Sequence, residues 1–151
     1  LLQQALDKCY AAGFDWGIAE ALEYLADVAR AEDDGRSAAN LYRESLGAYR
    51  AQQDLWGIGG ALCNLGLLAS EHGLYETAAR LLGAAAATYE DLGIRSFMLV
   101  TAERVYEAAL RQLRSRLGQA KFEALWQAGR ELNRERAIAE AVTAAEQIAA
   151  P

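Results

Sequence analysis

The chain has 151 residues, 53 % of them hydrophobic, and its single proline is Pro151 at the very end. That composition excludes a disordered tail and gives one domain with a sizeable core. A formal net charge of −6 with no basic stripe argues against a nucleic-acid surface, so no direct nucleic-acid contact is expected.

Alanine, leucine, glutamate, glutamine and arginine recur throughout, and all are good helix formers. Proline, which removes a donor and clashes inside a helix, is missing from the interior. The chain therefore reads as all-α. Its first twelve residues, with Leu2, Ala5 and Leu6, read as the second helix of a truncated pair. A start at Leu1, with Met98 the sole methionine, leads to the expectation of a piece cut from a longer protein. No basic patch precedes an apolar run, so no secretory signal is read and a cytoplasmic location is expected. A first helix should run from about Asp15 to Glu32, with Leu22, Leu25 and Ala29 on its inner face and Asp15 as N-cap. "EDDGRS" then breaks the pattern, with Gly35 permitting a turn. A second helix follows from about Ser37 to Gln52, with Ala38, Leu41, Tyr42, Ser45 and Tyr49 inward.

Next comes a helix from about Leu55 to His72. Its segment from Leu55 to Ser70 carries no charge but is too short for a membrane span, which needs about 20 residues, and it holds Asn64 and several glycines. It is read as a helix with neighbours on several sides, without membrane contact. A turn at Gly73 leads to a helix from about Glu76 to Leu92. Beyond Gly93 a degenerate unit over 94–118 has Val105 and Ala109 on its inner face and ends at Gly118. Helices Gln119–Arg130 and Arg134–Ile148 complete the chain; Asn133 caps the last, whose stripe is Ile138, Ala141, Val142, Ala145 and Ile148.

Residues 14–53 and 54–93 repeat one another. Eleven identities fall at apolar or glycine positions, among them Trp16/Trp56, Gly17/Gly57, Ile18/Ile58, Leu22/Leu62 and Tyr49/Tyr89. A period of this size signals stacked helix pairs. Trp16 and Trp56 open the first helix of each unit. Each indole is expected to pack across the joint with the preceding helix, with Gly17 and Gly57 making room.

In the second unit Leu62, Leu65, Gly66, Ala69, Gly73, Tyr75, Ala78, Leu82 and Ala85 stand at the spacing of the tetratricopeptide repeat, which the chain therefore resembles. The first unit matches more loosely, and Gly35 stands where the second has Tyr75. The resemblance implies a right-handed superhelix of antiparallel helix pairs, a TPR-like α-solenoid, here a single domain over 1–151 with 119–151 as a C-terminal helical cap. Small residues at Gly66 and Ala78 allow the helices of a pair to cross closely.

The tail, "ARLLGAAAATYEDLG" followed by "LRSRLGQAKFEALWQAGRELNRERAIAEAV", resembles the C-terminal end of large bacterial LuxR-type and ATPase-type transcriptional regulators with MalT-like helical repeats. That resemblance covers about residues 78–145. No nucleotide-binding loop and no DNA-binding helix pair accompanies it, so nothing carried by those modules transfers.

The residues give little to an enzyme. His72 stands beside a turn, where a helix C-terminus favours exposed polar side chains. Glu20 and Glu23 are an i, i+3 pair of a kind common on solvated helices. Glycines 57, 59, 60, 66 and 73 lie in a helical pattern and read as close-packing sites, not as a phosphate loop. Cys9 and Cys63 read as small buried hydrophobes, and Arg111, Arg114, Arg116 and Lys121 as a solvated basic face. No catalytic residue, cofactor or metal is expected.

The tetratricopeptide resemblance implies instead a concave groove lined by the first helix of each unit. Its positions fall on Glu20, Glu23, Asp27 and Arg30, on Gly60, Cys63, Asn64, Leu67 and Glu71, and on Glu103, Arg104 and Glu107. Asn64 and Arg104 stand where some members hold a peptide's terminal carboxylate. Glu23 and Asp27 stand where that clamp needs Lys and Asn, so no carboxylate clamp is expected. The acidic balance favours a basic or neutral polar partner, with Gly60 and Cys63 as a small-residue floor. The expected role is a protein-binding or sensing scaffold, the regulatory module of a bacterial regulator or signal-transduction ATPase. The partner is a protein segment or another domain of the same chain. Two rivals stand beside it: a small-molecule inducer site, and self-association through the apolar N-terminal face.

Overall fold

The structure is a computed structural model that describes residues 1–94 and 100–151. Among the described residues the chain forms eight α-helices and no strand. These are α1 (Leu2–Ala12), α2 (Asp15–Ala31), α3 (Gly35–Ala51), α4 (Leu55–Glu71), α5 (Tyr75–Asp91), α6 (Val100–Leu117), α7 (Gln119–Arg130) and α8 (Arg134–Ala149). None of the described helices is long and apolar enough to cross a membrane. The start of the degenerate unit, 95–99, lies outside the described residues.

One turn is used five times. Positive φ falls on Gly13, Asp33, Gln53, Gly73 and Gly93, every twenty residues. At each, the next amide reaches back to a carbonyl five residues earlier: Phe14 to Cys9, Asp34 to Ala29, Asp54 to Tyr49, Leu74 to Ala69 and Ile94 to Tyr89. This is the Schellman closure, which satisfies orphan carbonyls at a helix end. From α2 to α5, a 17-residue helix plus three linking residues gives the twenty-residue step, and two steps give the forty-residue repeat. Gly35 is therefore not the turn residue. It is the first residue of α3, and the imidazole of His72 lies against its Cα, where a Cβ would come within 2.1 Å of Nε2. Gly73 likewise belongs to the turn and not to close packing, with open space around its Cα.

Starts are set by caps. Asp34 accepts from the Ser37 amide, Asp54 from the Gly57 amide and Asn133 from the Arg136 amide. Asp15 is not the N-cap of α2. Phe14 occupies that position without a side-chain bond, and Asp15 sits in the first turn, where its charge favours the positive end of the helix dipole.

Helices α2 with α3 and α4 with α5 pack as neighbouring pairs, and α3 packs on α4. Helix α4 is central. It touches α2, α3, α5, α6 and α8, and most of its residues are buried. Burial of most of the helix explains why Leu55 to Ser70 carries no charge. Gly66 lies against Leu81 and Leu82, at the crossing where the small-residue argument places it.

The tryptophans do not fill the joints. Trp16 is 47 % and Trp56 53 % exposed. Trp56 packs edge-on against Tyr89 of its own pair (centroids 5.4 Å apart), and Trp16 lies beside Phe14. Tyr49 takes the joint instead. A Cβ on Gly57 would stand 2.1 Å from its ring, so the glycine makes room for a tyrosine of the preceding helix. Gly17 does the same for Phe14 and Cys9.

Helices α7 and α8 lie along the side of the pairs, α7 on α5 and α8 across α3, α4 and α5. At the α5–α7 crossing the backbones almost touch. A Cβ on Gly83 would come 2.3 Å from the Trp126 carbonyl oxygen, and one on Gly129 2.0 Å from that of Arg80. Ion pairs Lys121–Glu76 and Arg130–Glu90 join the same helices. Helix α8 runs antiparallel to α3, with Glu135 on Arg50 near one end and Glu146 on Arg43 near the other. In α8, Ile138, Ala141 and Ala145 are buried, with Val142 and Ile148 packed partly buried beside them. Among the described residues of α6 the buried side chains are Leu110 and Leu113, whereas Val105, expected inside, is 47 % exposed.

Candidate functional site

The candidate site is the face where α4 lies between α2 and α6. On α2, Glu23, Asp27 and Arg30 recur at helical spacing, and each reaches a side chain on another helix. Glu23 accepts from the Tyr49 hydroxyl of α3 (2.8 Å) and from the Asn64 amide of α4 (2.7 Å). Asp27 accepts from the Tyr42 hydroxyl. Arg30 forks onto Glu71 of α4, its Nε 3.0 Å from both carboxylate oxygens. This polar ladder fixes the register of α2 on its neighbours. Charged hydrogen-bonded pairs of this geometry are the stronger kind.

The ladder changes the ionisation of its members. Burial is the largest influence on Glu23 and raises its pKa above the ordinary 4.5; the neighbouring Asp27 charge adds to this, and the bonds from Tyr49 and Asn64 oppose it. Burial raises Tyr42 and Tyr49, with the carboxylates they face acting in the same direction. The Cys63 thiol is pushed up to about 12, chiefly by burial, which makes it inert as a nucleophile near neutral pH.

The expected groove residues of the first two units thus come together, in varied roles. Glu20 accepts a long bond from Tyr24 (3.4 Å) at the edge. Gly60 does not open onto an empty floor: the Tyr89 hydroxyl and the Glu23 carboxylate fill the space beside it, 3.3 and 3.6 Å from where a Cβ would stand. Cys63, 1 % exposed, lies beneath the surface and lines no groove. Leu67 is nearly buried and still forms part of the floor, and Glu71 is exposed at the rim.

The third unit departs from the expectation. Glu103, Arg104 and Glu107 are exposed, and among the described residues the α6 side chains that line the cleft with α4 are Val105, Ala108, Ala109 and Gln112. At roughly 100° per residue, Glu103 and Glu107 fall on the far side of α6 from this row. Burial of Leu110 and Leu113 sets that rotation.

Between Arg30, Leu67, Ser70 and Glu71 on one side and this α6 row on the other lies a cleft of about 250 Å³. Ser70 is 2 % exposed, and its hydroxyl has no hydrogen-bond partner among the described residues. A larger and more open groove of about 360 Å³ runs between α5 and α8, where Arg80 and Glu140 already engage each other (2.9 Å). Sequence reasoning named Arg30, Leu67 and Glu71 on one wall of the cleft and missed Ser70 and the α6 wall. Its signal was the small Ala108–Ala109 pair opposite Leu67, which only a known helix rotation makes readable.

The basic residues are largely used within the fold: Arg114 lies 4.8 Å over the Phe122 ring, Arg116 5.6 Å over Tyr75, and Lys121 pairs with Glu76. Both cysteines are free thiols, Cys9 partly buried. Among the described residues no group of three or more His, Cys, Asp or Glu side chains is placed to hold a metal ion. Comparison with protein-family models, with curated proteins and with solved structures gave no match.

Proposed function

We propose that the chain is a non-enzymatic binding module of the tetratricopeptide-like, solenoid kind, whose α2–α4–α6 face holds a segment of another protein or another domain. The observation that carries this reading is the asymmetry of cover. Helices α7 and α8 lie on the α3 and α5 side of the pairs, whereas the α2–α4–α6 face keeps an open cleft beside a polar ladder. The forty-residue helix pairs support the repeat assignment, and the tail pattern supports a place in the regulatory part of a bacterial regulator or signal-transduction ATPase. At about 250 Å³ the cleft is smaller than the roughly 300–1,000 Å³ of ordinary small-molecule sites, which favours a segment over an inducer.

The test is selection of random peptides displayed on phage against the immobilised chain, beside Gly60→Lys. That variant places a cation next to Glu23, where a Cβ meets only tight or ordinary contacts. A peptide consensus bound by the native chain and lost in Gly60→Lys is the expected result. Absence of any consensus, with the protein folded by circular dichroism, would remove the reading.

A further inference from the structure

The open face has two chemically different ends. At one end the cleft presents Leu67, Val105, Ala108 and Ala109, an aliphatic lining without an aromatic ring. Arg30, which also borders it, is already held by Glu71 and offers no free charge. The hydroxyl of Ser70, buried and without a partner among the described residues, adds one unmet hydrogen-bonding group to the wall. At the other end of the same α2 stripe stand Glu20, Glu23 and Asp27, with no cation paired to any of them among the described residues.

We infer that this face takes an extended peptide segment that buries one aliphatic side chain in the α4–α6 cleft and lays a lysine or arginine against the Glu20–Asp27 stripe. The inference rests on the protein-binding reading above and adds the chemistry of the partner. Charge complementarity selects the basic residue, since an anionic one would face three carboxyls with no compensating charge. The lining of Leu67, Val105, Ala108 and Ala109 suits an aliphatic anchor such as leucine, isoleucine or valine. Along α2, Arg30 to Glu20 spans about 15 Å at a rise of about 1.5 Å per residue. An extended chain covers that in about four or five residues at about 3.3 Å each, which fixes the spacing between anchor and cation. The main chain of the segment supplies the missing partner of Ser70.

The probe is a fluorescein-labelled peptide of Gly and Ser carrying one Leu and, four residues away, one Lys. Controls replace Leu by Ser or Lys by Glu. Fluorescence anisotropy is expected to show binding of the first peptide, with each control weaker by roughly tenfold or more. Binding should weaken as salt is raised, as a screened charge contact requires. Ala108 is exposed, so Ala108→Trp fills the cleft without entering the core and should abolish the Leu preference. Glu20→Lys should abolish the Lys preference and leave that for Leu. Ser70→Ala should weaken binding of the full peptide while leaving the fold intact. The inference is overturned if the Glu-bearing control binds as well as the Lys peptide, or if Ala108→Trp leaves the Leu preference untouched. It is also overturned if phage selection yields a consensus of other chemistry, a result that leaves the broader reading standing. If no displayed peptide of any kind is selected, both fall together.

Discussion

Glu23 shows how one side chain can be legible in position and illegible in role. Its place on the inner stripe of α2 follows from helical period. Its partners do not, because Tyr49 and Asn64 lie 26 and 41 residues away and no local pattern joins them. The role has a consequence for stability. A carboxyl whose folded pKa is raised holds its proton more tightly in the fold than in the unfolded chain. Its contribution is therefore complete below the ordinary 4.5 and is lost as pH rises through the folded-state value. Glu23→Gln removes the charge and keeps the shape, at the expense of one of the two accepted bonds. Urea midpoints measured from below pH 4.5 to neutrality should show the native chain losing ground against Glu23→Gln as pH rises. Parallel curves, or divergence in the opposite direction, would show that the site does not titrate as its burial requires. The tryptophans teach the complementary lesson: a rare repeated residue marked the register correctly, yet Tyr49 fills the joint because Gly57 leaves room for a ring from the preceding helix.

Among elements, the twenty-residue step is more regular than the sequence that encodes it. Glycine marks the turns at 13, 73 and 93, and these boundaries were readable. Asp33 and Gln53 adopt the same left-handed conformation at φ 59° and 56° without being glycine. There the paired back-bonds of the helix end impose the geometry, and local composition misdirected the turn to Gly35. A side chain at such a φ costs about 1–2 kcal/mol. Gln53→Gly should therefore stabilise the chain by about 1 kcal/mol, part of the relief being offset by the added freedom of glycine in the unfolded state. Gly73→Ala, at φ 79°, should destabilise by about 1 kcal/mol for the converse reason. Denaturant unfolding of the two variants decides the matter through the sign of each change, which must be opposite. The rotation of α6 belongs to the same scale. Its apolar residues permit more than one inner face, and the one adopted buries Leu110 and Leu113 and leaves Val105 half-exposed at the cleft with α4.

In a simple repeat array each unit touches only its neighbours, and the ends can melt separately. Here α8 lies across α3, α4 and α5 at once, and α7 is pressed on α5 through Gly83 and Gly129. Both glycines belong to the tail pattern, "RLLGAA" and "QAGR", so that part of the pattern marks a helix crossing. Contacts reaching back across both pairs should couple them into one cooperative unit. The chain carries reporters for this, Trp16 at the start of α2 and Trp126 in α7. Two variants, each keeping one of these tryptophans and replacing the other two by Phe, should unfold in urea with fluorescence transitions that coincide with each other and with helix loss by circular dichroism. Gly129→Ala drives a methyl group into the Arg80 backbone and should lower both midpoints together, by the equivalent of about 3 kcal/mol, at the upper end for overpacking because backbone cannot yield as a side chain does. If Trp126 is released early while Trp16 and most of the helix signal persist, α7 and α8 are a detachable cover. The α3 and α5 face would then compete with the α2–α4–α6 face as the surface that receives a partner.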